Sequence, residues 1–383
     1  MIGLASIGRF HMFDLARELV RLGEDVSLFT GYPSVKVDAD LRPLTTTRPW
    51  WTLLGYARGL LPPPVTGTWW AQQNLDDFGP WLARAIDPRA IDVLDALAGT
   101  GLEAGRVLHA AGKPWVCGRA STHILTQKAL LEEEHRRWGA PPPDFSRGIE
   151  RCLAEYAECD AVIVPSHFVK RSFVEQGVPA DKVNVCPYGV DLSLFGPRPK
   201  EDHRFRVLFV GAHSLRKGIG DLFDAVRPLV TRGRCEVWLV GTPAPEAREL
   251  LRRNADIFVE KGPQPRSSLA WYFSQGSVLV LPSVEEGLAF VLPQAMACGI
   301  PVIASTNTGA EDLVDDGVEG FIVPIREPGA IRARLEWMLD NAECRREMAA
   351  AARRRVAGVG GWTAFARASR EVYRKLMAHM AVR

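Results

Sequence analysis

Two adjacent carboxylates, a turn glycine and an amide eight residues further on are the first side chains whose types and spacing suggest chemistry. They sit in Leu281–Pro324, LPSVEEGLAFVLPQAMACGIPVIASTNTGAEDLVDDGVEGFIVP. An apolar run ends at Pro282, and a polar turn holds Glu285, Glu286 and Gly287. A helix is predicted over Ala289–Ala297 and is closed by Gly299. In parallel α/β domains, ligands bind beyond the C-terminal ends of strands, where helix N-termini favour anions. Gln294 lies at most ~12 Å from Glu286 along a helix. That is the scale of a diphosphate separating two sugars, so one polar group would hold a hexose and the other a ribose. The plainer reading is that Glu285 and Glu286 only cap the helix.

A second cluster lies in Val207–Gly220, VLFVGAHSLRKGIG, where Arg216 and Lys217 precede Gly218 at a strand–helix junction. Two cations there suit a diphosphate, whose charge must be neutralised as a nucleotide leaves; the plainer reading is a surface pair. Gly8 and Arg9 follow the first apolar run, and Gly8 permits close backbone approach. The pattern is not G-x-G-x-x-G, so a dinucleotide site has little support. His11 shares that loop without an assignable role. The turn Arg119–His123, RASTH, follows another apolar run; an isolated histidine there is commonly structural. Glu132, Glu133 and Glu134 read as a solvated helix face.

The elements that must carry these residues alternate as strand and helix. Strands are expected at Ile2–Ser6, Val26–Thr30, Ile91–Ala98, Pro114–Cys117, Ala161–Pro165 and Val183–Cys186, with helices between. Residues 43–90 break the pattern. They hold Trp50, Trp51, Trp69, Trp70 and Trp81 around Pro62, Pro63 and Pro64, and read as loops and short helices that serve acceptor recognition, membrane contact or plain packing. Asp191–Arg204 has linker chemistry. A second series follows, with strands at Arg206–Val210, Cys235–Val240, Ser277–Pro282 and Pro301–Ala304, and a last helix at Trp362–Met380.

Length and composition agree with two soluble domains: 383 residues, 47% hydrophobic and 24% charged. A net charge of +2 gives no electrostatic case for nucleic acid. The run Arg345, Arg346, Arg353, Arg354, Arg355 reads as the solvated face of a terminal helix, with an anionic membrane surface as the sharper alternative. Seven scattered cysteines without metal-like spacing fit a reducing cytosol. No apolar stretch reaches the ~18–20 residues of a membrane span. The start, MIGLASIGRFH, lacks the features of a signal peptide, so a cytoplasmic chain that touches but does not cross a membrane is expected.

The Leu281–Pro324 segment resembles the C-terminal signature of glycosyltransferase family 4, a frame like EGFGLxxxEAMACGxPVIAS. Glu286 matches its first Glu, ACGIPVIAS matches its end, and Gln294 replaces its second Glu. VLFVGAHSLRKG is similar to the family's FVGxLxxxKG stretch, and Val185–Phe195, VCPYGVDLSLF, to its PxGVDxxxF hinge. The stretch RASTHILTQKALLEEEHRRWG looks like a subgroup pattern with a short turn before an acidic helix. The resemblance implies the GT-B fold: two facing Rossmann-like domains, residues 1–195 and 196–362, with helix 363–383 returning to the first and the active site in the cleft. It implies retaining hexosyl transfer from a nucleotide-sugar donor to an unidentified acceptor. The implied catalytic residues are Glu286, His123, Arg216 and Lys217. The implied donor contacts are Gly8, Arg216, Lys217, Glu286, Gly287, Leu288 and Gln294. No cofactor or metal is implied, since there is no Asp-x-Asp pair at a strand end and two cations can take a metal's electrostatic role. A nucleotide-sugar epimerase or phosphorylase of the same fold, and a non-catalytic sugar-nucleotide-binding protein, remain alternatives.

Overall fold

The computed structural model describes residues 1–57, 67–145 and 148–382. Two parallel sheets organise the chain. The first holds β1 (Ile2–Ser6), β2 (Val26–Thr30), β3 (Thr45–Thr47), β4 (Val93–Leu97), β5 (Trp115–Gly118), β6 (Ala161–Val164) and β7 (Val183–Val185), in the order β3-β2-β1-β4-β5-β6-β7. The second holds β8 (Arg206–Val210), β9 (Glu236–Val240), β10 (Val259–Gly262), β11 (Val278–Leu281), β12 (Val302–Ser305) and β13 (Gly320–Val323), in the order β10-β9-β8-β11-β12-β13. Every residue of β1, β8 and β11 is buried. Helices cover both faces of such sheets, which is why the strand sequences read as continuous apolar runs and not as alternation. Strand order reverses beside β1 in one sheet and beside β8 in the other. The crevice beyond the strand ends at such a reversal is where ligands bind in open α/β sheets. Gly8 follows β1, Arg216 and Lys217 follow β8, and Glu286 follows β11, so all four lie at strand C-termini beside a reversal.

The helices are α1 (His11–Arg21), α2 (Trp50–Ala57), α3 (Gly67–Ala85), α4 (Leu102–Ala110), α5 (Ile124–Arg137), α6 (Ile149–Glu158) and α7 (His167–Glu175) around the first sheet. Around the second are α8 (Ile219–Thr231), α9 (Arg248–Arg253), α10 (Leu269–Gln275), α11 (Val291–Ala297), α12 (Pro328–Asp340) and α13 (Ala342–Gly358), followed by α14 (Gly361–Val382). Several sequence expectations need correction. Residues 43–90 include a parallel edge strand, β3, and a 19-residue helix, α3, that keeps Pro80 inside it. Trp81 packs on Phe78 at 5.1 Å in the core, whereas Trp50 is 68% exposed. Pro62, Pro63, Pro64 and the side chains of Trp51, Trp69 and Trp70 lie outside the described residues. The acidic face of α5 is not uniformly solvated. Glu134 is buried, accepts from Trp138 Nε1 at 2.6 Å and pairs with Arg326 at 2.8 Å. In the arginine run, Arg345 is half-buried and bonds to the Met338 carbonyl, while Arg353 and Arg354 are exposed.

After α13 the chain returns to the first sheet. Helix α14 packs along α1, with Thr363 donating to Glu18 at 2.7 Å and Arg374 to Glu24 at 2.9 Å. At the crossing, Tyr188 stacks near His11 (4.6 Å), Phe290 (4.9 Å) and Phe365 (5.4 Å). Burial holds the His11 imidazole neutral by lowering its pKa to about 3. Deeper along α14, the Tyr373 hydroxyl donates to Asp95 at 2.6 Å beneath the helix. Asp95 is buried and its other oxygen has no partner among the described residues, so desolvation raises its pKa to about 7 against the opposing Tyr373 bond.

This buried acid carries a pH signature. The folded state binds the Asp95 proton more tightly than the unfolded state. Its contribution is therefore fully present below the unfolded pKa near 3.8 and is lost as pH rises through about 7. Asp95→Asn keeps an acceptor for Tyr373 without a charge. It is expected to raise the melting temperature clearly more at pH 8 than at pH 4, by a difference in stability gain of at least about 1 kcal/mol. Equal shifts at both pH values would show that the Asp95 charge is not the cause.

Candidate active site

The turns after β8 and β11 are built against each other. Gly218 has φ of +69°, and a Cβ there would lie 2.1 Å from the Pro282 carbonyl oxygen. Only glycine lets the Arg216–Gly218 turn press on the end of β11. The Val284 amide then donates to the Arg216 carbonyl at 2.8 Å. This backbone contact sets Arg216 beside Glu285 and Lys217 beside Glu286. Arg216 Nε lies 2.8 Å from Glu285 Oε2 and Lys217 Nζ lies 2.5 Å from Glu286 Oε1.

The two acids differ in what they have left to offer. Glu285 is fully buried, and its oxygens accept from the Thr122 amide (2.8 Å), Thr122 Oγ1 (2.9 Å), Gln127 Nε2 (3.2 Å) and Arg216 Nε (2.8 Å). A carboxylate has about four lone-pair sites, so Glu285 is saturated. Glu286 is 13% exposed and has one side-chain partner among the described residues, Lys217. Burial pushes the Glu286 pKa up, but Lys217 and Arg216 outweigh it and hold the carboxyl below its usual value. Arg216 is pushed down by burial and held up more strongly by Glu285 and Glu286, so it stays charged. The available anion is therefore Glu286, and the cations that face it are Lys217 and Arg216.

The first sheet supplies the opposite wall. A Cβ on Gly287 would lie 2.0 Å from the Ala120 carbonyl oxygen, and Ser166 Oγ donates to the Gly287 carbonyl at 2.6 Å. Arg216 also donates to Ser121 Oγ at 3.3 Å. Gly287 is thus the point of backbone contact between the β11 turn and the turn after β5. Further along this seam, Arg137 pairs with Asp221 and His167 with Asp312. Among the described residues, no group of three or more metal-ligating side chains gathers here or elsewhere.

The remaining expected site residues are placed differently. His123 is the N-cap of α5, with Nδ1 accepting from the Leu125 amide at 3.4 Å. Its ring packs on Tyr156 at 4.9 Å and Phe173 at 5.0 Å. Burial, with help from Arg119, lowers its pKa to about 4. The structure does not bring this imidazole to the Glu286 cluster, because the α6–α7 aromatic pair claims it; its neighbour Thr122 makes the contact across the seam. Gly8 lies in the β1–α1 turn, where its carbonyl accepts from Ser6 Oγ at 3.0 Å. Leu288 is buried in the core, leaving only its backbone for a ligand. Helix α11 starts at Val291, two residues later than expected, and Gln294 is half-buried within it. The Gln294 side chain makes no hydrogen bond among the described residues. Sequence reasoning missed Thr122, Gln127 and Ser166, which are ordinary polar residues until the two sheets are brought face to face.

The contact at Gly287 has a direct consequence. Because the obstacle is a backbone oxygen and not a flexible side chain, Gly287→Ala is expected to force the two walls apart. Transfer activity should fall at least tenfold while the melting temperature changes by only a few degrees. Wild-type activity in Gly287→Ala would show that this close approach is not needed.

Known proteins share this architecture and these segments. A family model for Glycosyltransferase Family 4 matches residues 9–194, and one for glycosyl transferases group 1 matches residues 204–341. The D-inositol 3-phosphate glycosyltransferase of Frankia alni is 27% identical over 97% of this chain and 95% of its own length. That of Kineococcus radiotolerans is 31% identical over 68% of this chain and 67% of its own. Among solved structures, the sucrose-phosphate synthase of Thermosynechococcus elongatus superposes with a TM-score of 0.71 at 22% identity, covering 99% of both chains. Anabaena HepE in complex with UDP-glucose gives 0.68 at 17%, covering 98% of this chain and 99% of its own. These structural likenesses show the GT-B fold. The chain is a glycosyltransferase and belongs to glycosyltransferase family 4.

Proposed function

We propose that the protein is a retaining glycosyltransferase that takes a hexosyl group from a nucleotide-sugar donor held between Arg216, Lys217 and Glu286. The observation that carries this reading is the Lys217–Glu286 pair at 2.5 Å, flanked by Arg216, at the ends of β8 and β11. Lys217 and Arg216 hold the Glu286 carboxyl below its usual value in a poorly solvated crevice. A donor entering between them would place its diphosphate on the cations and its sugar hydroxyls on the carboxylate. As the sugar–phosphate C–O bond breaks, negative charge grows on the departing nucleoside diphosphate, where Arg216 and Lys217 stabilise it without a metal. The acceptor oxygen attacks the oxocarbenium-like carbon from the same face and gives its proton to a departing phosphate oxygen. Gly8, Gly287 and the Leu288 backbone complete the donor walls, and Gln294 faces the ribose. His123 enters only as the cap that sets Thr122. Anabaena HepE, whose structure holds UDP-glucose, supports a nucleotide-sugar donor. The names of the inositol-phosphate and sucrose-phosphate enzymes make polyol and sugar phosphates the first acceptors to screen. The reading extends to a cytoplasmic chain with peripheral membrane contact through α2, where Trp50, Leu53 and Leu54 are exposed. Flotation on anionic vesicles checks this, and failure to float ends the membrane part.

The donor reading is tested by product analysis with a panel of nucleotide sugars, then by variants on the donor that works. Glu286→Gln is expected to cut turnover strongly. Arg216→Ala and Lys217→Ala should each weaken donor use by roughly 2–3 kcal/mol. Lys217→Ala should also move the acid limb of the pH–rate profile upward, because it removes the charge that holds Glu286 below its usual value. Wild-type donor kinetics in both basic variants would overturn the clamp. At Gln294, restoring the acid with Gln294→Glu should keep activity and tighten the nucleoside diphosphate by on the order of 1 kcal/mol. Gln294→Leu should bind worst, since it leaves ribose hydroxyls without partners. Equal calorimetric affinities for Gln, Glu and Leu would end the ribose assignment.

A further inference from the structure

We propose that Glu285 is a positioning residue that couples the seating of the turn Ser121–His123 to the presentation of Arg216 in the cleft. The inference rests on the donor reading for Arg216 and goes beyond it. Glu285 is the neighbour of the acid that faces the crevice, yet it has no exposed surface and no lone pair left for a ligand. Its four donors come from both sides of the seam. Three belong to the first sheet's wall: the Thr122 amide, the Thr122 hydroxyl and the Gln127 side chain. One, Arg216 Nε, belongs to the second.

A buried carboxylate tolerates its desolvation only while such donors are in place. Withdrawing the first wall would take away three of the four at once, and Glu285 would meet water with Arg216 as its one remaining charge partner. A flexible arginine facing an otherwise unsatisfied carboxylate favours a two-point fork on it. That fork would turn the guanidinium away from a phosphate. With the wall seated, Thr122 and Gln127 take up the competing lone pairs. Arg216 then touches Glu285 only through Nε, which is shared between the side chain (2.8 Å) and the main-chain oxygen (3.0 Å). Its Nη2 rests on Ser121 Oγ, and its Nη1 has no partner among the described residues. The network also reaches outward: Arg119 donates to the Thr122 carbonyl at 3.0 Å and to Gln127 Oε1 at 2.7 Å, which fixes the orientation in which Gln127 Nε2 points at Glu285. The free edge of the guanidinium is therefore aimed by its own wall's Glu285 together with the Ser121 bond and the Glu285 shell, which exist only when the two walls meet.

Glu285→Gln is the informative variant. It keeps the volume, but its NH₂ must oppose either the Thr122 donors or those of Gln127 and Arg216. The first measurement is hydrogen exchange of the Thr122 amide in the ligand-free protein, which does not depend on what the donor is. The wild-type amide should exchange slowly and Glu285→Gln should speed it by about tenfold or more. A fast-exchanging wild-type amide, or one indifferent to the variant, overturns the proposal. The second measurement is a double-mutant cycle on kcat/KM for the nucleotide sugar identified by the screen. If Glu285 acts through Arg216, Glu285→Gln should cost about tenfold or more alone and less than about threefold in the Arg216→Ala background. Additive losses mean a merely structural role and overturn the proposal while leaving the donor reading intact. If Arg216→Ala itself does not change donor kinetics, the donor role of Arg216 falls and this role with it, whatever the exchange shows. A matching loss of melting temperature in both backgrounds with an unchanged kinetic coupling keeps the proposal, because stability alone does not produce non-additive kinetics at one arginine.

Discussion

The cleft depends on compensating charge where water is scarce. Two cations and two carboxylates, Arg216, Lys217, Glu285 and Glu286, meet at the ends of two adjacent strands, and their formal charges cancel. Any one of them removed leaves a partner poorly solvated and unpaired, which costs more than the pair contributes. Backbone geometry enforces the meeting: the glycine after Lys217 presses on Pro282, and the Val284 amide locks onto the Arg216 carbonyl. The cations are consequently held where no ordinary surface pair would be. Under the proposed reading, a diphosphate arriving there would find its counter-charge already oriented and would replace Glu286 as the partner of Lys217.

The same constraint shapes the seam between the sheets. Helix α5 gives it Arg137, which forks onto buried Asp221, and Glu134, which is satisfied by Trp138 and Arg326. Arg326 holds φ of +61°, the one described non-glycine residue in the left-handed region. That conformation costs on the order of 1 kcal/mol, and its side chain offsets the strain by reaching Glu133 at 2.7 Å, Glu134 at 2.8 Å and the Leu130 carbonyl at 3.1 Å. These contacts lie on the same helix whose first turn carries Gln127 beside Glu285, with Thr122 just ahead of its cap. Docking of α5 and filling of the Glu285 shell are thus parts of one arrangement, in which polar side chains join the walls along α5 while Tyr188 and Phe290 join them by apolar packing at the crossing. The polar part opens at lower cost than a core would, since water can replace each partner.

What was legible in the sequence follows from range. Buried parallel strands announce themselves as apolar runs, so nearly all central strands were readable, whereas the three polar residues of β3 were not, because edge strands need no apolar signal. Arg216, Lys217 and Glu286 stood out since each sits a few residues beyond a strand end. The packing of His123 was not readable, for the opposite reason. Position after a strand says where the backbone goes but not which way a ring turns, and Tyr156 and Phe173, more than 30 residues away, decide that. Glu134 misled similarly: a run of three acids on a helix looks solvated until Arg326, nearly 200 residues on, is placed against it. Glu285 is the sharpest case. By residue type it is the twin of Glu286, and although the family frame singles out Glu286, only the burial of one and the partial exposure of the other show that Glu285 is a structural anion.

That separation bears on Gln294. A carboxylate at a half-buried position on α11 would need a cation or several donors when the site is empty, and none reaches Gln294 among the described residues. Arg216 and Lys217 are already engaged by Glu285 and Glu286, so a third acid would stand without a cation of its own until ligand hydroxyls reached it. An amide rests there at far lower cost, because an unpaired neutral group loses less hydration than an ion. Under the proposed reading it would accept from one ribose hydroxyl and donate to another. An amide there would thus lower the charge the empty cleft must compensate, whereas Glu285 has its donors supplied by the opposite wall.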